Sequence, residues 1–154
     1  MENEQVLGYI DNVTSFGIIA PKRRSIIITD KRLLILNVSS TSSAAADAGF
    51  AYVFGIFGRG MANKATKEEI ENVTQKLSQM NLDDVLKSDP DNLALNNGDI
   101  LEIEIDRHNI QIKTNQKTYK YNLANPDIKN KDSDVYNNYV QTLKTAFGDK
   151  VKAR

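Results

Sequence analysis

The sequence predicts a single α+β domain that is mainly β, with a C-terminal helix packed on antiparallel strands. Three observations lead to this class: an early hairpin of β-branched residues, a later meander with two-residue alternation, and an amphipathic stretch near the C-terminus. The length of 154 residues suits one domain, 1–154, and 40% apolar residues are enough for its core.

The first of these features is the hairpin in SIIITDKRLLIL, residues 25–36. Two apolar runs flank Asp30-Lys31, a polar pair suited to a tight turn. The pairs expected in this register are Ile28–Leu33, Ile27–Leu34 and Ile26–Ile35. Because both faces are apolar, the hairpin should be covered on both sides, and Arg32 is expected to anchor its turn. Upstream, QVLGYIDNV (5–13) and SFGIIA (15–20) predict two further strands.

The second feature is the meander over residues 99–123, DILEIEIDRHNIQIKTNQKTYKYNL. Leu101, Ile103 and Ile105 alternate with acidic residues, which is the period of a half-buried strand. Turns at Arg107-His108 and Asn115-Gln116 align all three strands in one register. The expected pairs are Ile105–Ile110, Ile103–Ile112, Ile112–Tyr119, Ile110–Tyr121 and, on the solvent face, Glu102–Lys113.

Helices are predicted in the middle and near the C-terminus. The C-terminal helix carries one apolar stripe, with Asp132 or Ser133 as its cap and Gly148 at its end. The residues of the stripe are Tyr136, Tyr139, Val140, Leu143 and Phe147. TKEEIENVTQKLSQM (66–80) opens with capping-box spacing, and a short helix is expected at Asp83–Lys87. Leu93–Leu95 then forms a short apolar run before the turn signal Asn97-Gly98.

Composition excludes several classes of function. The sequence has no cysteine, so disulfides, thiolate metal sites and cysteine nucleophiles are excluded. The one histidine, His108, falls at a predicted hairpin tip, where water rather than a protected pocket is expected. Basic and acidic residues number 20 each, which gives no overall field that favours nucleic acid. We therefore predict no catalytic residue, no cofactor and no metal.

The alternating carboxylates Glu102, Glu104 and Asp106 raise the possibility of a cation site. Calcium loops present their oxygens from a tight turn, whereas these residues lie along an extended strand. The outward face of a sheet is the better interpretation. The N-terminus, MENEQVLGYI, lacks the basic and apolar regions of a secretory signal, so we expect a cytoplasmic protein.

The stretch AGFAYVFGIFGRGMA, residues 48–62, is apolar and rich in glycine. Gly55 and Gly60 have the spacing of a phosphate-binding loop but lack the Lys-Ser/Thr that should follow, and the order of glycines does not fit a dinucleotide fingerprint. The apolar run is too short to span a membrane. Burial within the chain, self-association and insertion into a membrane surface remain open. The candidate interface residues are Phe50, Tyr52, Phe54 and Phe57.

Residues 25–36 and LDDVLKSDPDNLALNNGDILEIEI (82–105) resemble segments of bacterial and archaeal pleckstrin-homology-like (PH-like) domain proteins. The first segment is also similar to GRAM-type domains. The resemblance implies two packed antiparallel sheets that form a partly open barrel, capped by the C-terminal helix. A helical insertion of about residues 39–91 between the sheets departs from a minimal PH domain. The family contributes binding and assembly roles and no catalytic residues.

Two functions follow as expectations. The first is a non-enzymatic binding or assembly module that contacts a protein partner or forms a homo-oligomer. The alternative is peripheral binding to a membrane or anionic lipid through the basic loop 22–24, since PH domains that bind phosphoinositides use a basic loop between early strands. Lys22, Arg23 and Arg24 are the candidate anion-binding residues, because ammonium and guanidinium groups donate charge-assisted hydrogen bonds to phosphate.

Overall fold

The computed structural model describes residues 4–15, 23–37, 75, 78, 81–87, 92–123 and 135–154, with only the backbone at positions 11, 12, 15 and 23. The strands in these ranges are β1 (Val6–Ser15), β2 (Arg23–Thr29), β3 (Arg32–Asn37), β4 (Leu93–Asn96), β5 (Ile100–Ile105), β6 (Asn109–Thr114), β7 (Thr118–Leu123) and β8 (Val151–Ala153). The helices with described bounds are α1 (Leu82–Lys87) and α2 (Val135–Phe147), and short 3-10 turns span Asn97–Asp99 and Gly148–Lys150. Gln75 and Ser78, inside the predicted helix 66–80, are also helical.

The strands pair as one open eight-stranded sheet in the order β4–β3–β2–β1–β7–β6–β5–β8. Two antiparallel meanders, β4 to β1 and β7 to β5, are joined where residues 13–15 of β1 pair with residues 121–123 of β7. The sheet is not closed among the described residues, because β4 and β8 lie at its two edges. The mainly β, α+β class is confirmed.

The early hairpin has the predicted register. Its observed pairs are Ile28–Leu33, Ile27–Leu34 and Ile26–Ile35. All six of these side chains are fully buried, which confirms that the hairpin is covered on both faces. β4 pairs with β3 through Leu95–Leu33 and Leu93–Ile35. The insertion therefore lies between two neighbouring strands of the first meander rather than between two sheets, because the short apolar run at Leu93–Leu95 completes the apolar edge of β3.

Helix α1 lies on the face of β3 that points away from the main core. Arg32, Leu34 and Leu36 share that face by alternation, and Arg32 Nη2 donates a hydrogen bond of 3.0 Å to Asp83 Oδ1 in the first turn of α1. At the other end of β3, Asn92 accepts from the Asn37 amide and donates to the Val85 carbonyl. The buried residues of α1 are Leu82 and Val85. A short helix was predicted at 83–87, and the structure confirms it.

The second meander also has the predicted register, with one correction at its start. All five predicted pairs, including Glu102–Lys113, are present. A shift between Ile100 and Glu102 interrupts the alternation of β5. Ile100 is consequently buried, whereas Leu101 is 62% exposed. Leu101 was expected on the core face, and that expectation is wrong because the irregularity turns its side chain outward.

Helix α2 packs on the sheet through the predicted stripe. Tyr136, Tyr139, Leu143 and Phe147 are buried with Val135, and Val140 packs against the same core. Gly148 ends the helix with φ +59°, the left-handed conformation that favours glycine. The predicted caps Asp132 and Ser133 lie outside the described residues, as do residues 16–20 of the predicted second strand and most of the helix 66–80.

Strand β8 was not predicted. It follows the 3-10 turn Gly148–Lys150 and pairs in parallel with β5, with Ile103 opposite Val151 and Ile105 opposite Ala153. Val151 joins the main core, while Lys152 and Ala153 are exposed. A segment of three residues is too short to show strand periodicity, and its place depends on contacts with distant β5.

Candidate functional site

Of the predicted basic loop 22–24, the structure describes one side chain, that of Arg24. Lys22 and the side chain of Arg23 lie outside the described part of the structure, whereas Arg24 is partly buried at the start of β2. Arg24 pairs with Asn37 on one side and with Val13 on the other. Because Arg24 is two residues from the buried Ile26, its side chain lies on the core-facing side of β2.

Tyr121 lies near Arg24 and Tyr119, and Lys117 contacts the Tyr119 ring; we call Arg24, Lys117, Tyr119 and Tyr121 the Arg24 cluster. Burial raises the pKa of the Tyr121 phenol, and the nearby charge of Arg24 partly opposes this rise. Lys117 Nζ lies 4.7 Å from the centroid of the Tyr119 ring, a cation–π contact. The cluster thus joins the start of β2 to the β6–β7 turn, and its cations and phenols are groups that can bind an anion.

The carboxylates of β5 face a row of cations on the outer face of the sheet. Lys113 Nζ lies 3.9 Å from Glu102 Oε2 and 3.9 Å from Glu104 Oε1. From β8, Lys152 Nζ lies 3.5 Å from Glu102 Oε1, and Arg154 Nη2 lies 3.6 Å from Glu104 Oε2. We call these five residues the charge ladder. The carboxylates of Glu102 and Glu104 thus lie on the outward face of the sheet, as expected from the sequence, and pair with the cations there.

The pKa of Glu102 reflects the charge ladder. Partial desolvation raises this pKa, but the nearby charges of Lys152 and Lys113 help to outweigh it, so the pKa of Glu102 lies below its usual value. Asp106, the third acid of the series, accepts hydrogen bonds from the amides of His108 (2.7 Å) and Asn109 (2.8 Å) and so shapes the β5–β6 turn. Within the described residues, no group of three His, Cys, Asp or Glu side chains is arranged to hold a metal ion.

His108 is exposed at the tip of the β5–β6 hairpin, at the position expected from the sequence. Its carbonyl accepts a hydrogen bond of 2.8 Å from the Leu123 amide. Its neighbour Arg107 lies over the ring of Tyr136, with 5.3 Å between the guanidinium carbon and the ring centroid. In the described structure, the residues around His108 therefore hold the hairpin end against β7 and α2.

The tip of the early hairpin is a polar network that the sequence only partly indicated. The Thr29 hydroxyl accepts from the amides of Lys31 (3.2 Å) and Arg32 (2.9 Å) and donates to Glu4 Oε2 at 2.7 Å. Arg32 Nε donates to the same Glu4 oxygen at 2.8 Å, and Arg32 Nη2 donates to Glu4 Oε1 at 3.0 Å. The anchoring role of Arg32 was expected from the sequence. Its partner Glu4 was not, because the two residues are 28 positions apart.

The candidate interface residues of the insertion, Phe50, Tyr52, Phe54 and Phe57, lie outside the described residues.

Comparison with protein-family models and with curated protein sequences finds no match to this chain. No helix among the described residues combines the length and the apolar character needed to cross a membrane.

Proposed function

We propose that this chain is a non-enzymatic, PH-like binding module whose work is assembly with a protein partner or a second copy. Its strand order supports the PH-like part of the proposal: one meander of four strands, a second of three, and a helix packed on both. Arg32, Asp106 and Glu102 act in an anchor, a turn and a strand pair, which are structural roles.

The observation that carries assembly is the open sheet. Edge strands present backbone N–H and C=O groups that can pair with another chain. The edges here are β4, which has four residues, and β8, which has three. Both are short, a feature by which proteins limit uncontrolled edge pairing, so an edge contact would extend over only a few residues.

Light scattering after size-exclusion chromatography tests assembly. We expect a mass above the 17.2 kDa of one chain, rising with protein concentration. The double substitution Phe54→Asp and Phe57→Asp should lower that mass if the insertion contributes to the contact, while circular dichroism shows that the sheet is retained. Leu101→Asp is the matched control, because Leu101 is already exposed. A monomer at every concentration would contradict assembly with a second copy.

A second candidate function is favoured by the Arg24 cluster. Arg24 and Lys117 supply cations beside two tyrosines, and Lys22 and Arg23 precede Arg24 directly in the sequence. Such a group suits the phosphate of an anionic lipid headgroup, which accepts charge-assisted hydrogen bonds. This is the peripheral-membrane alternative.

Co-sedimentation with vesicles separates the two functions. Vesicles that contain an acidic phospholipid should retain the protein at low salt and release it at high salt, and zwitterionic vesicles should not retain it. Lys22→Glu with Arg23→Glu should abolish retention. Lys87→Glu with Lys144→Glu reverses two exposed cations, one on each helix, changes the total charge by the same amount and should weaken retention far less. Equal binding to both kinds of vesicle would rule out headgroup recognition.

A further inference from the structure

The edge of β5 already binds one extended segment, which is β8. The pairing is parallel and extends over Ile103–Val151, Glu104–Lys152 and Ile105–Ala153. One hydrogen bond continues it, from the Arg154 amide to the Ile105 carbonyl at 2.9 Å. The edge of β5 is thus a strand-binding surface.

Side chains give this surface a preference for the sequence that occupies it. Val151 is buried in the main core, and the acids of β5 pair with the two basic residues of the segment, Lys152 and Arg154. The Tyr136 hydroxyl lies 2.9 Å from the Arg154 main-chain oxygen and 3.2 Å from the Ile105 carbonyl, so its hydrogen can bond to either. The β5 edge therefore selects an apolar residue with a basic residue at the next position and a second basic residue three positions after the apolar one.

The attachment of β8 to its own chain is short. It pairs at three positions, parallel pairing is less stable per residue than antiparallel pairing, and Val151 is its one buried residue. The connection to α2 is the three-residue turn Gly148–Lys150, which turns at Gly148 in the left-handed conformation. Exchange of such a terminal element is a low-cost route to a dimer, because the exchanged segment makes the same contacts with the second copy.

We propose that β8 is exchanged between copies of this chain, with the β8 of one copy paired to the β5 edge of its partner. A second copy is the occupant with the matching chemistry, because it carries the same Val-Lys-Ala-Arg segment that the edge already binds. Reciprocal exchange remakes each backbone and charge contact of β8 between the copies and closes a symmetric dimer. This inference rests on the proposed assembly role and assigns a surface to it.

Cysteine cross-linking tests the exchange, because the natural sequence contains no cysteine. Glu104 and Lys152 are opposite each other across the β5–β8 pair. One batch carries Glu104→Cys, the other carries Lys152→Cys with a purification tag, and the two are mixed and oxidised gently. We expect a disulfide-linked heterodimer whose yield rises with incubation time and concentration. Glu104→Cys mixed with Lys120→Cys is the control, because Gln111 of β6 separates these positions on the sheet. The control yield should be at least about tenfold lower, since only random collision can join that pair.

The double variant Glu104→Cys with Lys152→Cys locks β8 to its own chain when it is oxidised in dilute solution. The locked protein should lose self-association in light scattering and regain it on reduction. A heterodimer yield no higher than that of the control would overturn the exchange. If the locked protein still associates, the exchange is wrong while the assembly role stands. If the natural chain stays monomeric and no heterodimer forms, the exchange and assembly with a second copy both fail.

Discussion

At the scale of single residues, one guanidinium connects three parts of the chain. Arg32 binds Glu4 through two nitrogens and Asp83 through one of them, so it ties the chain before β1, the β2–β3 turn and α1 together. The hydrogen bond with Glu4 raises the pKa of Arg32, partial burial opposes this, and Asp83 raises it further. The charges of Arg32 and Glu4 pair with each other at a site where their side chains are only 18% and 17% exposed.

Arg32→Ala is expected to lower the free energy of unfolding by about 2 kcal/mol, because it leaves the half-buried Glu4 carboxylate without its charged donor. Arg32→Lys should recover less than half of that loss, since an ammonium cannot form the two-pronged contact. Urea unfolding followed by circular dichroism measures both. Lys144→Ala, an exposed change on α2, should stay within about 0.5 kcal/mol. If Arg32→Ala also changed the free energy of unfolding by no more than about 0.5 kcal/mol, the hydrogen bonds of Arg32 would not stabilise the fold.

Tyr121 gives the fold a dependence on alkaline pH. Burial raises the pKa of its phenol, so the folded protein disfavours the phenolate more than the unfolded chain does. The stabilisation is complete below the unfolded pKa of about 10 and is lost as pH rises through the folded value. Unfolding free energies measured from about pH 9 to about pH 11 should fall more steeply for the natural chain than for Tyr121→Phe. Parallel curves would contradict this assignment.

At the scale of elements, register was the part of the fold that the sequence predicted best. In the β2–β3 hairpin and the β5–β7 meander, the alternation of apolar residues and the position of the turns agree on one alignment. A shift of one residue would move every apolar side chain to the other face, so few registers compete. Leu101 was misplaced because an irregularity within a strand leaves no mark on composition. β8 and Glu4 were missed because distant contacts, rather than local pattern, decide their places.

The candidate site was predictable in part for the same reason. Arg24 lies in a basic run visible in the sequence, so its chemistry could be proposed from the sequence alone. Its neighbour Tyr121, with Tyr119 beside that residue, comes from β7, almost a hundred positions away. The alternation indicated that these tyrosines face the core, but it carried no information about which end of β2 they approach. Only the pairing of β1 with both β2 and β7 brings them together.

The contact between β1 and α2 depends on a glycine. A Cβ at Gly8 would lie 2.7 Å from Thr142 Cγ2 and 3.2 Å from Thr142 Oγ1. Gly8→Ala should therefore lower the free energy of unfolding by about 1–3 kcal/mol through overpacking. Thr142→Ala removes both close atoms, so the same glycine substitution should cost much less in that background. Chemical denaturation of the natural chain, the two single variants and the double variant gives the coupling free energy between the two positions.

Gly98→Ala is the matched control for that cycle, since a Cβ there meets nothing within 4 Å. We expect it to change stability by no more than about 0.5 kcal/mol. Additive effects of Gly8→Ala and Thr142→Ala would mean that Thr142 does not oppose the added Cβ, contrary to the close approach in the structure.

At the scale of the whole molecule, one core joins the two meanders. Ile26 and Ile35 of the first meander belong to the same buried cluster as Ile103 and Ile112 of the second, and α2 completes it with Leu143. β1 is the strand that connects the two halves through hydrogen bonds, because it pairs with β2 along its length and with β7 at its last three residues. The described sheet should therefore unfold as one unit, since neither meander can expose its apolar face without exposing the other's.

Val13 tests this cooperativity because it is fully buried and pairs with both Arg24 of β2 and Leu123 of β7. Val13→Ala should lower the free energy of unfolding by about 2 kcal/mol through lost burial and a small cavity. Native-state hydrogen exchange should report the same decrease at the amides of Ile27 and Ile112, one in each meander. Leu101→Ala should change neither, because that side chain is exposed. A decrease at one amide alone would mean that the two meanders open independently and that the β1–β7 joint does not couple them.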